Sequence, residues 1–181
     1  DARAFLAADE SHDPDQFRGI GGAVETILTA VDASSKITVY GDFDVDGVAS
    51  TSILVGLLRS LGGACDWFIP DRISDGYGLS KEAIESIRDR GTRLIITVDC
   101  GVTSVAEVAY ARELGMDVVV TDHHQPGPEL PDCQIVHPGV SGYPFPELCG
   151  AAVAWKLACA LRKAKNLDPS LDEADLDLVA M

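Results

Sequence analysis

The chain has 181 residues, of which 46% are hydrophobic and 24% charged, and its formal net charge is −15 at pH 7. This composition is typical of a soluble globular protein, and the length allows one domain with a substantial core. The acidic charge argues against a chain that holds a polyanion unaided, because nucleic-acid binding depends on basic residues. A polyanionic substrate would therefore require bound cations or a basic partner domain.

The five cysteines form no C-x-x-C pair, and the sequence shows neither a secretory signal nor an apolar run of membrane-spanning length. An odd set of unpaired thiols is typical of a reducing compartment. We therefore predict a cytoplasmic protein with free cysteines, no zinc ribbon and no membrane contact.

Segments with helix and strand periodicity alternate along the chain. The N-terminal part predicts a short helix from Ala2 to Ala8 and a second helix after Asp13-Pro14 whose buried face includes Phe17. The pattern that follows predicts a doubly wound α/β fold with a mainly parallel five-stranded sheet, helices on both faces and helical additions at both ends. The predicted strands are 36–40, 65–70, 93–98, 117–121 and 134–136, and the predicted helices are 47–61, Ser80 to Gly91, Ser104 to Gly115 and Glu147 to Lys165.

Two capping boxes predict where further helices begin: Ser104 with Glu107, and Ser170 with Glu173. We divide the chain into an N-terminal helical segment at 1–35, an α/β catalytic domain at 36–146, and C-terminal helices of the same domain at 147–181.

Three aspartates follow the first predicted strand within five residues, at Asp42, Asp44 and Asp46. Carboxylates this close repel one another unless a cation neutralises them, and hard divalent cations are the usual partner. The spacing therefore predicts a metal site, with a solvated acidic turn as the alternative.

Two other known motifs have a similar pattern of aspartates. A calcium loop that begins at Asp42 requires a bidentate glutamate at its twelfth position, where Ile53 stands. The sequence from Asp44 to Gly47 also resembles the nucleophile loop of haloacid-dehalogenase-like phosphatases, in which a hydroxyl residue usually follows the glycine. Val48 stands there, so neither motif is complete.

Acids and imidazoles also follow the later strands directly. Asp99 follows the third predicted strand, and Asp122, His123 and His124 follow the fourth. Ligands of open α/β sheets bind beyond the carboxyl ends of the strands, so we expect these residues to meet the first aspartate cluster in one site. A helix cap at Asp99 and a purely structural turn at the His pair are the alternatives. Asp122 is expected to bond backbone amides behind the site.

The donor set indicates the kind of metal. Carboxylates with one or two imidazoles suit Mn²⁺ or Mg²⁺, or iron or zinc, better than Ca²⁺. Two ions about 4 Å apart would clamp a phosphate between them for phosphoester hydrolysis. We expect Asp99 to bridge the ions, Asp44, Asp46 and His123 to fill other positions, and His124 to donate to the phosphate or the leaving oxygen.

Taken in order, the motifs resemble those of the DHH phosphoesterase superfamily. Within it, the chain is similar to RecJ-type single-strand-specific 5′→3′ DNA exonucleases, and the resemblance covers most of residues 14–181. The segments that carry it are 41–47, 72–79, 97–101, 122–126, 143–145 and 148–150.

The resemblance implies a two-metal exonuclease that removes nucleotides from the 5′ end of single-stranded DNA in DNA repair and recombination. It implies a catalytic or phosphate-contacting role for His124, and catalytic roles for Asp42 and Asp99. Arg72 is expected to contact phosphate, with a salt bridge to a neighbouring aspartate as the alternative. The Mn²⁺ or Mg²⁺ ligands that the resemblance implies are Asp42, Asp44, Asp46, Asp99 and His123.

The resemblance also implies parts outside this chain. These are a DHH-associated domain and an OB-type domain around the strand, a further metal-binding aspartate beyond Met181, and a single-strand-binding protein and a helicase as partners. We therefore expect a catalytic-domain fragment in which one metal position is weak or empty and the intrinsic activity is low. Ala151-Ala152 stand where a glycine is usual and His137 where an asparagine is usual, which alters the expected phosphate contacts.

Two other functions remain open within the resemblance. DHH phosphodiesterases or phosphatases act on nanoRNA or small nucleotides, but they generally carry a histidine where Tyr40 stands. A catalytically silent DHH scaffold is the second alternative; the intact acidic motifs argue against it, and the missing downstream aspartate argues for it.

Overall fold

The computed structural model describes residues 11–71 and 78–181. Its five strands form one sheet in the order β2-β1-β3-β4-β5, and all neighbouring strands are parallel. The predicted doubly wound α/β fold is confirmed, with a sheet that is parallel throughout. The strands are β1 (Ile37–Tyr40), β2 (Cys65–Phe68), β3 (Leu94–Val98), β4 (Asp117–Thr121) and β5 (Gln134–Val136).

Helices cover both faces of the sheet. In the described part of the chain they are α1 (Ile20–Asp32), α2 (Val45–Ser60), α3 (Lys81–Asp89), α4 (Val105–Glu113), α5 (Pro138–Ser141), α6 (Gly150–Ala164) and α7 (Leu176–Val179). The apolar side chains of α1, α2 and α6 share one core with one face of the sheet, and those of α3 and α4 share a second core with the other face. No helix within residues 11–71 and 78–181 has both the length and the apolarity needed to cross a lipid bilayer.

The central strands are apolar at nearly every position because both of their faces are covered. On β3, Ile96 packs into the core with α1, α2 and α6, whereas Ile95 packs into the core with α3 and α4. On β1, Val39 and Tyr40 divide in the same way. This alternation places β1 and β3 in the middle layer. Because neighbouring strands are parallel, the residues that follow them lie at one edge of the sheet.

The second predicted N-terminal helix was wrong in its start. A 3₁₀ turn at Pro14–Gln16 precedes α1, which begins only at Ile20, after Gly19 in a left-handed conformation with φ 90°. Phe17 lies between them, is 1% exposed, and stacks on the ring of Tyr143 with 3.9 Å between centroids. Its apolar character therefore reflects a tertiary contact rather than a helix face. The helix predicted from Ala2 to Ala8 lies outside the described residues.

Both predicted capping boxes were wrong. The Ser104 side chain accepts no capping hydrogen bond from α4, and its backbone N–H instead closes a turn onto the Gly101 carbonyl at 3.0 Å. Ser170 lies inside a 3₁₀ helix, and Asp168 caps that helix by accepting the Ser170 N–H at 2.9 Å. By contrast, Ser80 caps α3 as predicted, accepting the Ala83 N–H at 3.2 Å.

Candidate metal centre

Three adjacent strands deliver acids and imidazoles to one edge of the sheet. β1, β3 and β4 are neighbours, and their carboxyl ends lead into the segments that carry Asp42, Asp99 and Asp122. The structure therefore brings together side chains that are far apart in sequence. This is the edge at which open α/β sheets bind ligands.

Asp99 lies at the centre of the cluster. It is 1% exposed and has a left-handed backbone with φ 59°, a conformation that non-glycine residues adopt rarely and that costs energy. The turn around it is closed by the Thr97 hydroxyl, which donates to the Cys100 carbonyl at 2.7 Å. A strained turn directly after a buried strand thus holds one carboxylate at the sheet edge.

Two groups of potential ligands share Asp99. One consists of Asp99, His123 and His124, the other of Asp42, Asp44 and Asp99, and in each group one donor atom per residue lies within 4.8 Å of the others. His123 Nε2 lies 3.1 Å from Asp99 Oδ1. Asp99 is thus common to both groups, and its bridging of two ions stays a prediction.

The pKa values of Asp99 and His123 reflect the concentration of negative charge at the site. Burial raises the pKa of the Asp99 carboxyl to about 6, although the hydrogen bond from His123 lowers it. The same hydrogen bond raises the pKa of His123. Asp46 adds to the negative potential, since it raises both pKa values. A divalent cation would relieve this repulsion, and the mixed carboxylate and imidazole donors fit Mn²⁺ or Mg²⁺.

The first acidic cluster is divided among three environments. Asp42 is 4% exposed and accepts the Phe43 N–H at 2.7 Å. Asp44 is exposed and caps α2, accepting the Gly47 N–H at 3.0 Å. This cap explains why α2 begins at Val45, earlier than the predicted residue 47.

Asp46 connects the centre to the amino end of α6. Its two oxygens accept the Gly150 N–H at 2.7 Å and the Ala151 N–H at 2.6 Å, which also fixes the start of α6 at Gly150 rather than Glu147. The Asp46 carboxylate lies 3.5 Å from His123 Nε2 but belongs to neither ligand group. The contacts show Asp46 anchoring a helix terminus, a favourable place for a carboxylate. Its role as a ligand stays a prediction.

Asp122 accepts hydrogen bonds from the backbone of the His pair. It is 1% exposed; one oxygen accepts the Val102 N–H at 2.9 Å, and the other accepts the N–H groups of His123 and His124 at 2.7 and 3.1 Å. The same oxygen lies 2.8 Å from His124 Nδ1. These contacts place Asp122 where we expected a residue that bonds backbone amides. Arg72, the expected phosphate contact, lies outside the described residues.

Two glycines let backbone approach the acids closely, and the sequence reasoning missed both as packing positions. A Cβ on Gly47 would lie 2.6 Å from the Asp42 carbonyl oxygen, and a Cβ on Gly150 would lie 2.4 Å from Asp99 Oδ1. Glycine is a poor helix former, so its presence in the first turns of α2 and α6 was the available signal.

Comparison with known proteins agrees with this arrangement. Residues 36–181 match the model of the DHH family, N-terminal domain. The chain belongs to the DHH family. The predicted resemblance is thus confirmed, and the aspartates and the His pair at the sheet edge are the motifs of a DHH domain in their folded context.

Individual relatives of this DHH domain are single-strand exonucleases. It is 49% identical to the single-stranded-DNA-specific exonuclease RecJ of Bacillus subtilis over 99% of the chain, but it spans only 23% of that relative's length. A crystal structure of exonuclease RecJ bound to manganese matches 91% of the chain and 42% of its own length, with 37% identity and a TM-score of 0.84. RecJ in complex with Mn²⁺ from Thermus thermophilus matches 91% of the chain and 23% of its own length, with 34% identity and a TM-score of 0.77.

Adding Mn²⁺ should raise the melting temperature of this DHH domain. A ligand at about 100 times its dissociation constant stabilises the folded state by about 2.7 kcal/mol, or roughly 5–10 °C for a chain of this size. Thermal unfolding followed by circular dichroism, with EDTA-treated protein as the reference, measures the shift. An unchanged melting temperature at millimolar Mn²⁺ would show that the acids do not form a metal site.

Proposed function

We propose that this DHH domain is the catalytic domain of a metal-dependent exonuclease that removes nucleotides from the 5′ end of single-stranded DNA in repair and recombination. The observation that carries the proposal is the buried carboxylate of Asp99, shared by a carboxylate group and an imidazole group at the carboxyl ends of adjacent strands. Similarity to RecJ exonucleases over nearly the whole chain supports the choice of substrate.

The residues of the site have separate tasks in this proposal. Mn²⁺ or Mg²⁺, when bound, supplies positive charge for the phosphate and activates water for hydrolysis. The ligands assigned to two ions are Asp42, Asp44, Asp46, Asp99 and His123. His124 contacts the scissile phosphate or the leaving oxygen. Asp122 orients the His124 ring, and 44% of the His124 side chain is exposed, so it is accessible to substrate.

The acidic charge of the chain supports a substrate site to which bound cations and other domains contribute. With a net charge of −15, the domain would repel DNA over most of its surface. We therefore assign strand binding to the two cations and to the DHH-associated and OB-type domains of the longer protein. A single-strand-binding protein and a helicase are proposed as partners. The five free cysteines support the proposed cytoplasmic location.

Tyr40 supports an exonuclease over a small-nucleotide phosphodiesterase. The related enzymes for small substrates generally carry a histidine at this position. Here the Tyr40 side chain is fully buried in the core with α3 and α4, and its hydroxyl donates to the Gly78 carbonyl at 2.9 Å. Tyr40 therefore has a packing role and adds no metal ligand.

Digestion of strands with defined ends tests the proposal. The intact protein with Mn²⁺ should shorten single-stranded DNA from its 5′ end and act more slowly on duplex DNA, because its relatives are single-stranded-DNA-specific exonucleases. Strands labelled at the 5′ or the 3′ end, resolved by gel electrophoresis, report the polarity. A His124→Ala variant controls for a contaminating nuclease. Equal cleavage of single strands and duplex, or rapid hydrolysis of dinucleotides alone, would instead identify a small-substrate enzyme.

A further inference from the structure

His137 lies between β5 and α5. It is not among the assigned metal ligands, but it contacts the segment that carries the His pair. The residue is 3% exposed. Its Nδ1 accepts the backbone N–H groups of Gly139 and Val140 at 3.1 and 3.2 Å, and its Nε2 lies 2.7 Å from the carbonyl oxygen of His124. One buried imidazole thus connects the start of a short helix to the His pair of the metal centre.

The contacts of the His137 ring show which of its nitrogens carries the hydrogen. A ring nitrogen that accepts N–H groups carries no proton, so His137 Nδ1 is the acceptor and Nε2 carries the hydrogen. Nε2–H therefore donates to the His124 carbonyl. The ring is held at both nitrogens, and its plane and tautomer are fixed by the same contacts.

The turn that carries the His pair is held on both sides. Asp122 accepts the N–H groups of His123 and His124, and its own N–H donates to the Val136 carbonyl at 3.2 Å. His137, the next residue after Val136, binds the opposite end of the turn at the His124 carbonyl. Displacement of the His124 carbonyl would move the Cα that carries its ring, and this ring lies 4.6 Å from the ring of His123 between centroids.

We propose that His137 is a positioning residue of the metal centre: its Nε2–H fixes the His124 carbonyl and thereby the directions of both imidazoles. The proposal rests on the proposed function for its effect on catalysis, but its effect on metal binding does not require nuclease activity. The competing explanation is that His137 only caps α5, a helix of four residues.

Two variants separate the two contacts of the ring. His137→Gln carries an amide N–H that can reach the place of Nε2, so it retains the bond to His124 and weakens the cap. His137→Ser provides a good helix-capping hydroxyl but is too short to reach His124. If His137→Ser does not fold, His137→Thr retains the capping hydroxyl and fills more of the space.

Mn²⁺ affinity, measured by electron paramagnetic resonance of the free ion, is the first readout. Mutation of a residue that orients a metal ligand typically costs about 10–100-fold in affinity or activity, and His137 acts on the ligand His123 through the neighbouring His124 peptide. We expect His137→Ser to lose about tenfold or more in Mn²⁺ affinity, and to lower kcat more than it raises KM in the intact protein, while His137→Gln stays within about twofold of wild type. Circular dichroism confirms that both variants are folded.

The histidine ring signals in ¹H–¹⁵N NMR spectra are the second readout, recorded without metal. His137→Ser should shift the ring signals of His123 and His124, and His137→Gln should restore them. Unchanged ring signals and Mn²⁺ affinity in His137→Ser, or equal losses in both variants, would overturn the positioning role. If the wild-type protein binds Mn²⁺ but degrades no DNA, the proposed function fails, while the binding and NMR comparisons still decide the role of His137.

Discussion

Asp99→Asn should abolish Mn²⁺ binding and raise the melting temperature of the metal-free chain. Asp99 belongs to both ligand groups, so its loss removes a donor from each. We expect Mn²⁺ affinity to fall at least about 100-fold, beyond the effect of losing an outer contact. Asparagine tolerates the left-handed conformation with φ 59°, so the turn is retained. Removing one buried charge beside Asp46 and Asp42 also reduces repulsion in the absence of metal.

The effect of Asp99→Asn is measured by Mn²⁺ titration and by thermal unfolding with and without EDTA. Asp117→Asn is a matched control, because it removes the same charge at the opposite end of the sheet, where Asp117 begins β4 and is exposed. The control should bind Mn²⁺ as the wild type does. If Asp99→Asn binds Mn²⁺ as tightly as the wild type does, Asp99 is not a bridging metal ligand. An unfolded Asp99→Asn would make its role structural. In the intact protein, the proposed exonuclease activity should fall together with Mn²⁺ binding.

The sheet and the position of the site could be predicted from the sequence because both depend on local patterns. Strands covered on both faces are continuously apolar, and the first polar residue after each of them marks the carboxyl edge of the sheet. This is why Asp99 and the His pair, in different segments of the chain, could be assigned to one place before their distances were known. The apolar strand pattern and the binding of ligands at the carboxyl ends of parallel strands were sufficient, without a predicted strand order.

The contacts that arrange the site could not be predicted, because they join residues far apart in sequence. In the sequence Asp46 is one more acid in a cluster, but its oxygens accept N–H groups from residues more than 100 positions later. His137 is a departure from a family pattern, but its ring binds the His124 carbonyl. The failed capping box at Ser104 has a local cause, since the turn after Asp99 already uses the Ser104 backbone N–H. The contacts of Asp46 and His137 therefore depend on the folded sheet edge and leave no local signal in the sequence.

Gly150→Ala should impair the metal centre even though alanine is the better helix former. An added Cβ would lie 2.4 Å from Asp99 Oδ1 and 2.7 Å from its Cγ, so either the carboxylate or the amino end of α6 must move. Movement of α6 would also weaken the hydrogen bonds from Gly150 and Ala151 to Asp46. We expect a loss of about tenfold or more in Mn²⁺ affinity, comparable to the loss of a direct support of a ligand.

Gly56→Ala is the matched control for this change. Gly56 lies inside α2, and no atom of the described residues beyond its own helix backbone comes within 4 Å of an added Cβ. The substitution should therefore stabilise the chain by about 0.5–1 kcal/mol and leave Mn²⁺ binding unchanged. Thermal unfolding and Mn²⁺ titration of both variants, recorded together, separate helix propensity from crowding of Asp99. If Gly150→Ala binds Mn²⁺ as tightly as Gly56→Ala does, the Asp99 carboxylate can move without loss, and its fixed position cannot be what assembles the centre.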